Sequence, residues 1–225
     1  MSTKNTTRSA AYARRQALRR GGLAAAGIAA GAARWLVPPA YAQGKALAAT
    51  PRDAEGPFYP RTFPADVDAD LLRVAGRPRV ARGTPLRLSG RVLGTDGKPL
   101  AGATLELWQC DVEGTYHHVG ASGPQDDDFQ GYGRAIADAE GAWAFTTIRP
   151  VPDGGRPAHL HFRIAHPRSR TLTTQLYLKG ESSESGMGGF FSRERDRLEI
   201  APVQAQAARE PGALAATYTF VLEAA

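Results

Sequence analysis

The stretch Arg156-Pro157-Ala158-His159-Leu160-His161-Phe162-Arg163-Ile164 constrains this chain more than any other. Side chains on a β-strand alternate faces with period two. Leu160, Phe162 and Ile164 therefore share one face, and His159 and His161 share the other. The first set predicts a strand with one side in an apolar core. The second predicts two imidazoles within reach of a single ion, and imidazole suits iron, copper, zinc and nickel. Standing alone, a His-x-His is equally compatible with two unrelated histidines. The rest of the sequence has to decide.

Residues 43–80 are rich in Pro, Arg and Asp around Gly56-Pro57-Phe58-Tyr59-Pro60, which predicts an extended arm rather than helices. From Thr84 the pattern becomes β. Leu86, Leu88, Gly90 and Val92 alternate with polar residues, Asp96-Gly97-Lys98-Pro99 marks a turn, and 103–108 is the next strand. A second hairpin is expected from Gly133 through Ala139-Glu140-Gly141, returning over 142–148. Further strands are expected at 159–165, 171–178 and 216–223, with a loop and a short helix in 181–212. Short strands between Gly, Pro and Asp turns predict an all-β fold, an antiparallel β-sandwich with an extended N-terminal arm. Trp108, Trp143 and Phe145 are expected in its core. The segment 89–107 by itself would suit an extracellular sandwich module that only binds.

The first 42 residues read differently. Arg14-Arg15 precede a small-residue apolar run over 21–33, and Ala40-Tyr41-Ala42 supplies an A-x-A cleavage site. That order is a secretory signal peptide, and the arginine pair points to twin-arginine export to the periplasm or beyond. The expected organisation is a signal over 1–42 and one domain over 43–225. The run is too short for a good spanning helix, so no stable membrane insertion is expected once the signal is removed. The signal also explains the charge. It holds Lys4, Arg8, Arg14, Arg15, Arg19, Arg20 and Arg34 and no acidic residue, so the formal +6 less these seven leaves −1 for 43–225. Nothing there predicts nucleic-acid binding. Cys110 is the one cysteine, which excludes an intrachain disulfide.

Other segments converge on the His strand. Trp108-Gln109-Cys110-Asp111 leads through Gly114 to Tyr116, Phe129-Gln130-Gly131-Tyr132-Gly133-Arg134 opens the expected second hairpin, and Arg156 stands three residues before His159. In this order and spacing, residues 53–224 resemble the intradiol ring-cleavage dioxygenases, the protocatechuate 3,4-dioxygenase type in particular. The resemblance implies a mononuclear non-haem Fe(III) held by two tyrosines and two histidines. It also implies cleavage of a catechol-type aromatic 1,2-diol between its hydroxyls with O₂, giving a cis,cis-muconate-type diacid. Carried over, Tyr116 matches the first tyrosine ligand, His159 and His161 the two histidines, and Arg156 the arginine beside the substrate. The types suit the chemistry: a phenolate favours the ferric ion, which lowers the pKa of bound phenols. An always-charged guanidinium can stabilise negative charge built up on the ring.

One position departs from the pattern. Many members with this short loop carry a second tyrosine ligand six residues before the first histidine, where this chain has Asp153 in Pro152-Asp153-Gly154-Gly155-Arg156. The metal set is then Tyr116, His159, His161 and Asp153, or three protein ligands with water in the gap, or Asp153 is a turn residue. A carboxylate is a far weaker base than a phenolate, so the alternative is an exported binding module that keeps the fold and has weak or no turnover. A cupin-type metal enzyme also uses His-x-His, but no glutamate follows His161 at cupin-like spacing. His117 and His118 are expected beside the site or in solvent, and His166 in a loop. The expected partners are a small aromatic diol and O₂; a homo-oligomer is allowed, although the absence of an N-terminal helical region disfavours a helix-linked dimer.

Overall fold

The computed structural model describes residues 46–117, 123–181, 192–206 and 210–225. The expected signal over 1–42 and His118 lie outside the described residues. The strands are β1 (Pro85–Gly94), β2 (Thr104–Trp108), β3 (Tyr132–Ile136), β4 (Ala142–Ile148), β5 (His159–His166) and β6 (Ser169–Leu178). After them come the short helix α1 (Ser192–Asp196), β7 (Glu199–Ile200), β8 (Val203–Gln204) and β9 (Leu214–Leu222). They form one sheet of order β4-β1-β9-β8 and a second of order β3-β2-β5-β6-β7. The all-β sandwich expected from the turn spacing is the fold of residues 85–222.

The strand partners differ from expectation in an instructive way. β1 and β2 were expected to pair across the Asp96-Gly97 turn, and β3 and β4 across Ala139-Glu140-Gly141. Neither pair forms: β1 lies beside β4 and β9, whereas β2 lies beside β3 and β5. Both turns carry the chain from one sheet to the other. Period-two alternation reports which face of a strand is buried and says nothing of its neighbour. Here the apolar faces meet across the sandwich. Trp143 and Phe145 of β4 pack on Phe162 of β5 with ring centroids 5.8 and 6.1 Å apart, and Phe220 of β9 closes the cluster. Two pairings, β1 with β9 and β6 with β7, are parallel, and the rest are antiparallel. β1 and β9 are distant in sequence, so no tight turn fixes their relative direction.

The core between the sheets takes Leu86, Leu88 and Val92 from β1, Leu105 and Leu107 from β2, and Leu160, Phe162 and Ile164 from β5. All are fully buried, and each contributes about 1.5–3 kcal/mol by leaving water. The arm adds Leu71 and Leu72 to this core. It has no helix and no regular strand from 46 to 84, yet it is pinned along its length. The Thr50 amide donates to Val221 O (2.9 Å), the Asp53 amide to Thr173 O (3.0 Å), and the Leu71 amide to Thr146 O (2.8 Å). The arm therefore starts on β9, passes β6 and covers the outer face of the five-stranded sheet before entering the core. That covered outer face holds the histidines.

Candidate metal centre

β5 presents its two sets of side chains as its period demands. Leu160 and Phe162 enter the core, while His159 and His161 face the opposite way, and both histidines are buried. Strand register assembles a row around them. Trp108 of β2 lies opposite Tyr132 of β3 on one side and His161 on the other, and His161 lies opposite Gln175 of β6. Cross-strand partners share a face, so Tyr132, Trp108, His161 and Gln175 line up under the arm. Trp108, expected in the main core, belongs instead to a second cluster with Cys110, Tyr116 and Tyr132, packed by Phe58, Tyr59, Val67 and Val151. The alternation Leu105-Glu106-Leu107-Trp108 already carried that signal, because Trp108 shares the face of Glu106.

Tyr116 reaches the histidines from a loop built around Asp111. One Asp111 oxygen accepts from the Glu113 and Thr115 amides (2.9 and 3.0 Å). The other accepts from the Asp126 amide (2.6 Å) and meets His117 Nε2 at 2.8 Å. Burial alone would raise the Asp111 carboxyl, but these four hydrogen bonds together hold it below the usual carboxylate range. His117 thus braces the loop that carries Tyr116, while His166 ends β5 half-buried, beside the turn to β6. Phe58 from the arm stacks on the Tyr116 ring at 4.3 Å and 10°.

The three donors converge. Tyr116 Oη is 3.3 Å from His159 Nε2 and 3.1 Å from His161 Nε2, and the two Nε2 atoms are 3.0 Å apart. His159 Nδ1 faces Pro157 O at 2.8 Å. A carbonyl only accepts, so Nδ1 carries the proton and Nε2 presents a bare lone pair to the cluster. Burial lowers the pKa of both imidazoles, His161 to about 2, so both are neutral near pH 7. Burial, then the negative groups nearby, raises the Tyr116 phenol. A bound cation reverses that logic. Two donors each about 2.1 Å from one ion, at right angles, stand roughly 3.0 Å apart, so the triangle has the dimensions of a facial half of a coordination shell. Two neutral imidazoles and one phenol, buried with their three donor atoms facing one another, fit a cation such as Fe(III).

Arg156 Nη1 is 3.0 Å from His159 Nε2, and its Nη2 donates to Gln175 Oε1 at 2.5 Å. Gln175 is held in turn by Tyr177, whose hydroxyl lies 3.0 Å away, and by donation to Ala54 O of the arm (2.6 Å). Tyr177 also donates to Asp53 (2.8 Å). The approach to β5 is a two-residue turn, Asp153-Gly154-Gly155-Arg156, closed by the Arg156 amide on Asp153 O (2.6 Å). Gly154 and Gly155 both have positive φ (49° and 80°), which only glycine takes without strain. The Asp153 side chain is buried at the edge of the cluster. Its Oδ1 lies 3.8 Å from His159 Nδ1 and has no hydrogen-bond partner. Among the described residues, no three His, Cys, Asp or Glu side chains form a metal-binding group, so the convergent set contains the tyrosine. Cys110 is buried with its thiol pushed up to about 12 by burial and by Asp153 and Asp111, which makes it inert packing.

Gln175, Tyr177, Phe58 and the stacked Trp108 were not singled out from the sequence as site residues. Gln175 and Tyr177 lie at alternate positions of Thr173-Thr174-Gln175-Leu176-Tyr177, the only available hint.

A family model for dioxygenases matches residues 54–154 and 151–224. The chain is 35% identical over 150 residues to catechol 1,2-dioxygenase 1 of Acinetobacter lwoffii, an alignment covering 59% of this chain and 47% of that one. It is 34% identical over 140 residues to the protocatechuate 3,4-dioxygenase beta chain of Burkholderia cepacia, covering 58% and 60%. The chain thus spans about half the length of the curated relatives it matches. The dioxygenase domain of a dioxygenase carbohydrate-binding fusion from Streptomyces sp. SirexAA-E superposes with a TM-score of 0.60 at 28% identity, covering 79% of this chain and all of that one. Hydroxyquinol 1,2-dioxygenase from Pseudomonas putida DLL-E4 superposes with a TM-score of 0.59 at 27% identity, covering 79% and 67%. The match runs through nearly the whole sandwich and through every segment that builds the cluster, and the chain belongs to the intradiol ring-cleavage dioxygenase family.

Proposed function

We propose that this protein is a mononuclear non-haem iron dioxygenase that opens a catechol-type diol between its two hydroxyls, giving a cis,cis-muconate-type diacid. The observation that carries the reading is the buried triangle of Tyr116 Oη, His159 Nε2 and His161 Nε2, 3.0–3.3 Å on each side, with the Arg156 guanidinium against it. Those three residues would hold the ion. Asp153 stands at the edge of this set: its buried Oδ1 is without a partner, but it lies beside the remote nitrogen of His159 and does not group with the two histidines as arranged, so it would join the ion only by turning its side chain. A ferric ion supplies Lewis acidity that ionises a bound diol and prepares the ring for O₂.

The chain's own residues supply the rest. The His159 Nδ1 proton is fixed on Pro157 O, which keeps the Nε2 lone pair aimed at the cluster. The arm and the Tyr116 loop exclude water from the donors. Gln175 holds the Arg156 guanidinium in one orientation, so a fixed positive charge stands where the ring becomes negative. The binding-module alternative finds no support in the family match or in the relatives above, all named as dioxygenases.

Purified protein should carry about one iron per chain, and it should take up one O₂ per catechol with appearance of the muconate absorption band. Iron-loaded protein that consumes no O₂ with catechol, hydroxyquinol or protocatechuate would overturn the reading.

A further inference from the structure

The two histidines of the cluster are held in different ways. His159 has its remote nitrogen on a carbonyl, the usual arrangement for an imidazole that binds metal through its other nitrogen. His161 has none: its Nδ1 is buried without a hydrogen-bond partner. When Nε2 ligates, the proton of neutral His161 sits on Nδ1, so no hydrogen bond fixes the tautomer or the ring plane. Two aromatic and steric contacts stand in its place. The Trp108 indole stacks on the His161 ring, with centroids 5.0 Å apart and planes within 10° of parallel. From the arm side the backbone of Gly56 closes in, where a Cβ would sit 3.4 Å from His161 Cε1. Trp108 is itself fully buried and steadied by the edge of Tyr59 at 5.0 Å.

We propose that Trp108 is the positioning residue for His161, setting the ring plane by stacking in place of a hydrogen bond to Nδ1. The inference rests on His161 being a metal ligand, as proposed above. A stack constrains tilt strongly but allows sliding in the plane, so its removal releases the ring while leaving the ligand atoms in the chain. It also explains an economy of the fold. Trp108 and His161 are direct cross-strand partners on β2 and β5, so sheet register alone delivers the stack.

The test compares iron retention against a chelator, together with the electron paramagnetic resonance spectrum of the ferric protein, in Trp108→Leu, Trp108→Phe and Trp143→Leu. Trp143 lies in the main core, where its ring packs on Phe145, Phe162 and Phe220, so it controls for a lost indole. Trp108→Leu should lose iron at least about tenfold more readily, the usual scale for removing a group that orients a ligand. Its spectrum should broaden as the ligand field becomes heterogeneous. Trp108→Phe, which keeps an aromatic face, should recover most of both. Trp143→Leu should melt lower and keep wild-type iron retention. Should Trp108→Leu not fold, Trp108→Met carries the test, since it fills the space without presenting a ring face. Iron held by Trp108→Leu or Trp108→Met as firmly as by wild type, or lost equally by Trp143→Leu, would overturn the inference while leaving the function intact. Wild type without iron would overturn both.

Discussion

Among the described residues, one aromatic cluster lies on each side of the five-stranded sheet, and the two are built to different rules. The inner one, around Trp143, Phe145, Phe162 and Phe220, is apolar and tilted ring on ring, with centroids 5.0–6.1 Å apart. The outer one, around Trp108, Tyr116 and Tyr132, packs polar groups that water would otherwise solvate. Its Tyr132 donates to Glu106 (2.7 Å), Tyr59 of the arm donates to the same carboxylate (3.0 Å), and Arg134 pairs with it at 3.1 Å. The inner cluster stabilises the sandwich by removing apolar area from water. The outer cluster uses much of its burial to keep two neutral imidazoles and a phenol together in a dry place, an arrangement unfavourable for folding without a cation. A change on one face of β5 should therefore alter stability, and a change on the other should alter chemistry.

The sharpest way to break that contrast uses neighbours on one strand. His161→Ala should reduce bound iron from about one per chain to nearly none, because a third of the donor triangle is gone. Its metal-free protein should remain folded. Phe162→Ala, one residue away on the opposite face, should cost about 3–5 kcal/mol, lowering the melting temperature by roughly 10 °C in a domain of this size. Iron should still bind at temperatures where it is folded. The contrast fails if both variants lose iron equally under folded conditions, as followed by metal analysis and calorimetry.

Arg156 sharpens the contrast within the outer cluster. Its guanidinium meets His159 and Gln175 but supplies no lone pair. Arg156→Ala should keep iron and melt near wild type, while kcat/KM on the best catechol drops about 10²-fold, the scale of one lost electrostatic stabiliser. Steady-state oxygen uptake reads this directly, and an unchanged rate would remove Arg156 from the reaction.

These tests bear on what could be read from the sequence alone. The faces of the strands were legible, because Leu160 and Phe162 alternate with His159 and His161 whatever the neighbours are. The convergence of Tyr116 with that strand was legible only through resemblance, since its loop is held by Asp111, a residue with no local signature of that role. Strand partners were not legible: tight turns at Asp96-Gly97 and Ala139-Glu140-Gly141 suggested hairpins, yet each turn crosses between sheets. The arm was read as extended, but its function as a cover depends on backbone hydrogen bonds to β9 and β6, and backbone groups carry no sequence signal.

Acidity gives a smaller effect with a definite sign. Burial depresses the folded-state pKa of His159 and His161 below the ordinary value near 6.5. Below about pH 6.5 the unfolded chain takes up protons that the folded, metal-free protein refuses, so stability falls as pH falls. Each histidine contributes about 1.4 kcal/mol per pH unit well below that value. The hydrogen-bonded Asp111 carboxyl adds its own loss only as pH falls below the normal carboxylate range, toward its lowered pKa. Urea unfolding of metal-free protein at pH 7.5, 6 and 5 should show the decline beginning near 6.5, and His161→Ala should weaken it. A flat profile down to pH 5 would mean that the imidazoles are accessible to protons, contrary to their burial.

Asp153 gives the finest test, because it separates the outer cluster as a metal shell from the outer cluster as mere packing. A carboxylate at this position adds a negative charge but no phenolate, so visible colour from ferric tyrosinate should come from Tyr116 alone. Asp153→Tyr would place a second phenol at the mouth of the Gly154-Gly155 turn, six residues before His159. If the Asp153 side chain faces the ion, the new phenol should add intensity to the charge-transfer band, and Asp153→Ala should weaken iron retention modestly. Stability should move little in Asp153→Ala, since the lost group is a buried carboxylate whose Oδ1 has no hydrogen bond to lose. Should both variants leave colour and iron unchanged, Asp153 serves only the turn it opens, where aspartate before glycine is favoured. The ion would then be held by Tyr116, His159 and His161, with water completing the shell.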